Sequence, residues 1–314
     1  MPKHRFLVTG CAGFIGSHML ERLIGDGMDA VGVDDFSTGR REHVVANEGK
    51  FRFIEGTLCD PAVAREAVDG VSHVFHFASI PSVPRSVENP LENMHSSVTA
   101  TVTLLEAAAK AGVKRVIQST SSACYGNDPA LPKTEDMPSE PLSPYAAAKL
   151  AQEQYGQAFS ASLGLDTASL RYFNVFGPRQ DPNSEYAAVI PKFITLMLDG
   201  KRPTIFGDGL QTRDFIHVAN VVDANLATAL HPAPLHGRVY NIACGVETSL
   251  NQLVDAINAA LGTDLHPVYA DARACDVVRS VADASRAERE LGYRPALGFA
   301  EGLAATIRFF QTGE

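Results

Sequence analysis

The chain has 314 residues, 45% hydrophobic and 20% charged, with a formal net charge of −9 at pH 7. That length buries a large core and suggests one large or two closely joined domains. The acidic balance, with no lysine- or arginine-rich run, argues against general nucleic-acid or anionic-membrane binding, though not against a phosphorylated metabolite held by a few local donors.

In chain order, Arg5–Thr9 reads as a buried strand and is followed by Gly10-Cys11-Ala12-Gly13-Phe14-Ile15-Gly16. A helix from about 14 to 24 stops near Gly25-Asp26-Gly27, and a second apolar strand at 29–33 ends in Asp34-Asp35. Strand, glycine turn, helix, strand and acid in that order make a dinucleotide-binding unit. The glycines let the backbone approach a pyrophosphate, which rests on the helix N-terminus where unpaired N–H groups and the helix dipole favour an anion. Asp34 falls where a carboxylate would bind the adenosine ribose hydroxyls and repel a 2′-phosphate, so NAD is favoured over NADP. The spacing is G-x-x-G-x-x-G, not G-x-G-x-x-G.

Strands are expected at 51–56, 71–78, 115–119 and 167–172, with helices at about 62–69, 91–111 and 144–163. Apolar strands separated by helices imply an α/β fold, a doubly wound parallel sheet of Rossmann type covered on both faces. Ligands of such sheets bind beyond the carboxyl ends of the strands, where Gly10, Asp34, Ala78-Ser79 and Ser121-Ser122 all fall. After Arg171 the pattern loosens. Residues 174–214 are rich in Pro, Gly and Asp, with a helix near 187–199 and a short strand at 203–206. Strand and helix return around 215–230 and 239–261, and helices near 283–291 and 299–311 close the chain. The expected division is a dinucleotide lobe of 1–174 plus about 214–242, and a smaller α/β lobe of 175–213 plus about 243–314.

The five cysteines, Cys11, Cys59, Cys124, Cys244 and Cys275, are scattered without a C-x-x-C pair, and the ten histidines form no ligand spacing with them. No metal site and no disulfide framework are expected; reduced thiols fit a cytoplasmic protein. The opening MPKHRFLVTG has no signal-like apolar region, and no later run reaches the apolar length of a membrane span.

The reactive stretch is Ser143-Pro144-Tyr145-Ala146-Ala147-Ala148-Lys149. A helix starting near Pro144, capped by Ser143, puts Tyr145 and Lys149 one turn apart on one face. A tyrosine hydroxyl loses its proton near about pH 10, and a fixed cation beside it favours the phenolate and makes it a usable base. Alone, such a pair is an ordinary feature of an amphipathic helix. Here it follows Ser121, at the same edge of the sheet as the glycine turn, by one loop.

Taken together, the seven-residue glycine turn, Ser121 with Tyr145-x-x-x-Lys149, Leu170-Arg171-Tyr172-Phe173-Asn174 and Arg213-Asp214-Phe215-Ile216-His217 resemble the extended short-chain dehydrogenase/reductase family over nearly the whole chain, and within it the nucleotide-sugar 4-epimerases. The resemblance implies a Rossmann lobe with NAD and a C-terminal lobe holding a UDP-sugar. It implies Ser121, Tyr145 and Lys149 as the catalytic triad. The cofactor would be held by Gly10, Gly13, Phe14, Ile15, Gly16, Asp34, Ala78, Tyr145, Lys149 and Tyr172. Related 4,6-dehydratases carry an Asp-Glu pair just after the triad Ser or Thr, and UDP-glucuronate decarboxylases keep a Glu there. Ala123-Cys124 stands here instead, which disfavours dehydration.

For the substrate, residues 82–86, 179–183 and 186–191 resemble epimerases that accept UDP-N-acetylglucosamine. By that likeness Ser82, Ser121, Ser122 and Gln180 line the hexose pocket, Val189 lies in the last of the three stretches, and the small Ser280 leaves room for a 2-acetamido group. Asn174, Arg213, Arg273 and Asp276 match positions that hold UDP, arginine being suited to pyrophosphate by its planar fork. The chain departs from the family pattern at Thr57 (commonly Asp), Ser97 (often Asn), Ala100 (Gly) and Ala274-Cys275 (usually Glu-Gly). The implied reaction is inversion at C4 of a UDP-hexose through a 4-keto sugar. The alternatives are a UDP-hexuronate 4-epimerase, a 4-ketosugar reductase or another relative of the same fold, and a nucleotide-sensing binding protein. The resemblance also implies a homodimer built through helices 91–111 and 144–163.

Overall fold

A computed structural model describes residues 4–182, 188–272 and 278–313. The elements alternate as the apolar spacing predicts. β1 (Arg5–Thr9), α1 (Phe14–Gly25), β2 (Asp29–Asp34), α2 (Arg41–Val45), β3 (Arg52–Glu55), α3 (Pro61–Val68) and β4 (His73–His76) come first. They are followed by α4 (Val83–Glu88), α5 (Pro90–Met94), α6 (Ala100–Ala111), β5 (Arg115–Ser121), α7 (Pro144–Leu163) and β6 (Asp166–Tyr172). The rest comprises β7 (Asn174–Phe176), α8 (Val189–Leu198), β8 (Thr204–Phe206), β9 (Thr212–Arg213), β10 (Phe215–His217), α9 (Val218–Leu230) and β11 (Arg238–Ile242). β12 (Thr248–Ser249), α10 (Leu250–Leu261), β13 (Val268–Ala270), α11 (Ser285–Leu291) and α12 (Phe299–Thr312) complete it.

A seven-stranded sheet runs in the order β11-β6-β5-β4-β1-β2-β3, and its pairings are all parallel. The chain winds outward from β1 through β2 to β3, then returns to β4 on the other side of β1. A crevice opens where the winding reverses, at the carboxyl ends of β1 and β4, and places the functional site there.

Side chains of successive residues alternate faces along each strand. Phe6 and Val8 of β1, with Phe75 of β4, pack against Met19, Leu20 and Leu23 of α1 and Val221 and Val222 of α9. Leu7 and Val74 face the other way, onto Ala64 and Ala67 of α3 and Leu104 and Leu105 of α6. Burial on both faces explains why these strands read as continuous apolar runs. A separate core gathers Phe176, Ile194, Met197, Ile205, Phe215, Leu253, Ile257 and Ile307 from α8, α10, α12, β7, β8 and β10. Ala287 and Leu291 of α11 join the α1 face of the large sheet instead, so the last seventy residues feed both cores.

Three departures from the expected elements occur. The helix expected over 91–111 is not regular: a π-helical turn, His95–Thr99, joins α5 to α6 and carries the fully buried Ser97. Such turns insert one extra residue, which a 3.6-residue period cannot reveal. The short elements α2, α4, β7, β9, β12 and β13 span too few residues to leave a periodic signal. The helix expected at 187–199 begins at Val189, and residue 187 lies outside the described residues.

Candidate active site

A cleft of about 790 Å³ opens at the switch point. Its floor is the glycine turn. Gly10 has φ +65°, and a Cβ there would stand 2.9 Å from the backbone nitrogen of Ala78. At Gly16 a Cβ would run into the carbonyl of Gly10, so α1 can seat against the turn only with glycine at that position. Gly13 caps α1 without any side-chain hydrogen bond, while Phe14, Ile15 and Gly16 line the cleft. The first-turn N–H donors therefore face a site that suits an anion.

Asp34 closes β2 beside this turn. Its two carboxylate oxygens accept the N–H groups of Ala12 (2.9 Å) and Phe36 (2.8 Å), and burial raises its pKa above the usual carboxylate value. On the other side, Thr9 Oγ1 accepts the N–H groups of Phe77 and Ala78, both at 3.1 Å, and ties the exit of β4 to β1. Having accepted twice, Thr9 donates to His76 Nδ1 (2.8 Å), and His76 Nε2 then donates to Thr101 (2.9 Å). Thr9 and His76 hold the cleft's shape yet passed unremarked in the sequence. The available signal was a pair of polar residues inside otherwise apolar strands.

The triad assembles on the opposite wall. Ser121 ends β5, its Oγ accepting Ala123 N–H at 3.2 Å. Ser143 caps α7 by accepting Ala146 N–H at 3.1 Å, as the sequence implies, and Tyr145 N–H donates to Ser86 Oγ at 3.1 Å. Lys149 is 3% exposed; its ammonium donates to Ser79 Oγ (3.0 Å) and to the carbonyl of Ser119 (2.9 Å). Nζ stands 5.9 Å from the centre of the Tyr145 ring.

The electrostatics differ from the expectation that Lys149 makes the phenol acidic. Burial pushes Tyr145 up to about 12, against the pull of its hydrogen bond with Ser121, and pushes Lys149 down to about 8. Desolvation penalises the charged form of both groups and dominates in the protein alone. Positive charge next to the phenol would offset that burial and favour the phenolate.

Of the residues expected to hold the cofactor, Gly10, Gly13, Phe14, Ile15, Gly16, Asp34, Ala78, Tyr145, Lys149 and Tyr172 all border the cleft. The Tyr172 hydroxyl is turned to the core side, paired with Asn225. Of the sugar-nucleotide set, Ser82, Asn174, Gln180 and Val189 line it. Gln180 donates to the carbonyl of Val175 (3.1 Å), leaving Oε1 buried without a partner among the described residues.

Ser122, Arg213 and Ser280 stand outside the lining. Ser122 opens a 3₁₀ turn, Ser122–Tyr125, that leads away from the cleft, and Arg213 sits in the β9–β12 ribbon with its guanidinium on the carbonyl of Thr212. Arg273 and Asp276 lie outside the described residues. Among the departures from the family pattern, Thr57 and Ala100 border the cleft whereas Ser97 does not. The carboxylates among the described lining residues are Asp34, Asp35 and Asp181, the last salt-bridged to Arg40 at 3.2 Å. No group of His, Cys, Asp and Glu able to hold a metal occurs among the described residues.

A cradle that a single Cβ would fill, uncapped helix donors and an acid at the end of β2 suit the pyrophosphate and adenosine ribose of a dinucleotide. Together with a serine, a tyrosine and a lysine on the facing wall, they define a nicotinamide-dependent enzyme of the Rossmann class.

The chain belongs to the NAD dependent epimerase/dehydratase family, whose sequence model matches residues 6–243. It is 42% identical over 311 residues to a UDP-glucose 4-epimerase of Mycolicibacterium smegmatis, with 98% of each chain covered. Among solved structures it is similar to a UDP-N-acetylglucosamine 4-epimerase from Methanobrevibacter ruminantium in complex with UDP-N-acetylmuramic acid, at TM-score 0.94 and 39% identity with 100% of both chains covered. It is also similar to a UDP-glucose 4-epimerase from Thermotoga maritima with UDP-glucose, at TM-score 0.93 and 36% identity, covering 98% of this chain and 99% of that one.

Proposed function

We propose that the protein is an NAD-dependent 4-epimerase of UDP-hexoses, acting on the glucose/galactose pair and on their 2-acetamido counterparts. The observation that carries this reading is the meeting of Ser121, Tyr145 and Lys149 with the glycine cradle in one cleft, with no carboxylate following Ser121. Elimination of water needs an acid and a base, which Ala123 and Cys124 do not supply. Inversion at C4 needs only one group to take and return a proton.

Gly10, Gly13 and Gly16 with the first turn of α1 would hold the pyrophosphate of NAD, Asp34 the adenosine ribose, and Lys149 the nicotinamide ribose. When bound, NAD would supply the acceptor and donor of the C4 hydride and a positive charge that favours the phenolate. Ser121 and Tyr145 hydrogen-bond the sugar 4-hydroxyl, Tyr145 Oη takes its proton, and Lys149 stabilises the phenolate. Tyr145 then gives the proton back once the 4-keto sugar has presented its other face. Asn174 and Gln180 position the nucleotide and the hexose, with Ser82 and Val189 as neighbouring walls. Arg273 and Asp276 keep the roles the resemblance assigns them.

The test is incubation of the purified protein, without added cofactor, with UDP-glucose, UDP-N-acetylglucosamine and UDP-glucuronate in parallel, followed by NMR of the anomeric protons. Mass-neutral conversion of either of the first two supports the reading. Conversion of UDP-glucuronate alone points to the hexuronate series. Loss of water, or consumption of added NADPH mole for mole, overturns epimerisation.

We infer further that residues 175–213 and about 243–314 serve as the sugar-nucleotide lobe, with 1–174 and about 214–242 as the cofactor lobe. The unpaired thiols Cys11, Cys59, Cys124 and Cys244 accord with a cytoplasmic setting. Two copies would pair through α5–α6 and α7, where Leu91, Met94 and Tyr155 are exposed. Closed two-fold pairs are the commonest assembly. Tyr155→Arg is expected to convert a dimer to a monomer in sedimentation velocity; a wild-type chain that sediments as a monomer rejects the pairing.

A further inference from the structure

The ion pair between Arg171 and Glu153 lies beside the triad and has no task in the mechanism above. Arg171 Nε donates to Glu153 Oε1 at 2.8 Å and Nη2 to Oε2 at 2.7 Å, with the side chains 4% and 2% exposed. A buried pair of this kind pays a desolvation penalty comparable to its attraction, so stability is a weak reason for it.

Its placement offers a better reason. Tyr145, Lys149 and Glu153 follow one another at intervals of four along α7, so they share a face, and Lys149 and Glu153 belong to the buried stripe of that helix. Arg171 fixes the carboxylate from β6 while also reaching the segments around the triad. Its Nη2 donates to Ser139 Oγ at 3.0 Å, in the loop that leads to the Ser143 cap. Its guanidinium lies 4.5 Å over the ring of Tyr125, which ends the turn that follows Ser121.

The surroundings of Lys149 otherwise contain little to hold its charge. α7 presents Tyr145 and Glu153, the 3₁₀ turn presents Cys124, β4 presents His76, and β5 and the loop after β4 offer the Ser119 carbonyl and the Ser79 hydroxyl. Burial keeps the Cys124 thiol up at about 12 and His76 down at about 3, so both are neutral at working pH. Cys124 and Glu153 both favour the charged form of Lys149 against burial, but the thiol is protonated, which leaves Glu153, one turn along the same buried face of α7, as the anion.

We propose that Glu153, clamped by Arg171, is a positioning residue that keeps the Lys149 ammonium charged beside Tyr145 on the desolvated wall of the cleft. The proposal rests on the reading of Tyr145 and Lys149 as the reacting pair. Removing the carboxylate would also leave the Arg171 cation unpaired nearby, and both changes drive a proton off Lys149.

The experiment is kcat against pH with UDP-glucose for holoenzyme carrying Glu153→Gln, Glu153→Asp or the apolar double replacement Glu153→Met with Arg171→Met, alongside NAD content and UDP affinity. The limb on which activity falls as pH rises, set by Lys149, is expected to move down by about one unit in Glu153→Gln, a loss of about tenfold on that limb, with NAD content and UDP affinity retained. Glu153→Asp is expected to restore most of it. Should Glu153→Gln fail to fold, the double replacement decides, because a buried pair exchanged for apolar groups of similar volume usually folds. Its limb is expected between wild type and one unit lower, and an unmoved limb rejects the proposal. A kcat lowered equally at every pH, with the limb in place, assigns the pair to structure only and also rejects it. If Tyr145→Phe kept wild-type rates the reading of the triad would fall; an unmoved limb with Tyr145→Phe inactive sinks this inference alone.

Discussion

Tyr145→Phe is expected to lower turnover about a thousandfold while leaving UDP affinity nearly unchanged. The ring stays seated on α7, whose Ser143 cap and Ser86 contact involve backbone N–H groups and are untouched by loss of the hydroxyl. What disappears is the atom proposed to take and return the C4 proton. Ser121 survives, but an aliphatic hydroxyl has no comparable capacity to carry negative charge. The burial that raises the phenol to about 12 is part of the argument. Burial disfavours the phenolate, so positive charge brought beside the ring would favour the base form. Comparison of kcat with a separate titration of UDP binding distinguishes the outcomes: a parallel collapse of both would mean that Tyr145 holds the architecture and not the proton.

Gly16→Ala is the second large effect. The added Cβ meets the Gly10 carbonyl, which is backbone fixed by the left-handed turn and by the hydrogen bond it accepts from Gly13 N–H at 3.0 Å. No flexible side chain can move aside. Either α1 shifts outward, carrying its N-terminal donors with it, or the turn distorts. The expected cost is about 3 kcal/mol of stability. Because misplacing a binding group by about 1 Å costs on the order of a hundredfold, NAD affinity should fall at least that much. Bound NAD after gel filtration and the thermal midpoint measure the two effects. Gly25→Ala at the other end of the same helix is the control, since nothing lies within 4 Å of a Cβ there. Full NAD occupancy in Gly16→Ala would show that the cradle is not where the dinucleotide rests.

Much of this was legible in the residues. β1, the glycine turn, α1, β2 and Asp34 were placed nearly to the residue, because each is written in local terms: an apolar run, a glycine where a Cβ cannot fit, an acid at a strand end. The Ser143 cap and the spacing of Tyr145 and Lys149 were likewise local. The ion pair of Arg171 with Glu153 was not. Its partners are 18 residues apart on different elements, and neither position looks unusual in its own neighbourhood.

The π-turn at His95–Thr99 illustrates another limit. Its register depends on how α5 and α6 pack against α7, and residues 95–99 read as ordinary helix. Ser122, Arg213 and Ser280 show the same limit for site residues. Sequence likeness assigned Ser122 and Ser280 to the hexose and Arg213 to UDP, yet none of the three is among the lining residues of the cleft: the chain turns away after Ser121, and Arg213 sits in the β9–β12 ribbon.

The sequence by itself determined the parallel doubly wound architecture and the glycine turn at the carboxyl edge of the sheet, since these follow from spacing and residue chemistry along short stretches, and family likeness proposed the reacting groups. Only the tertiary structure decided which side chains face the cleft and where the protons sit. Burial depends on everything that packs around a group, and it is burial that raises the phenol of Tyr145 and lowers the ammonium of Lys149.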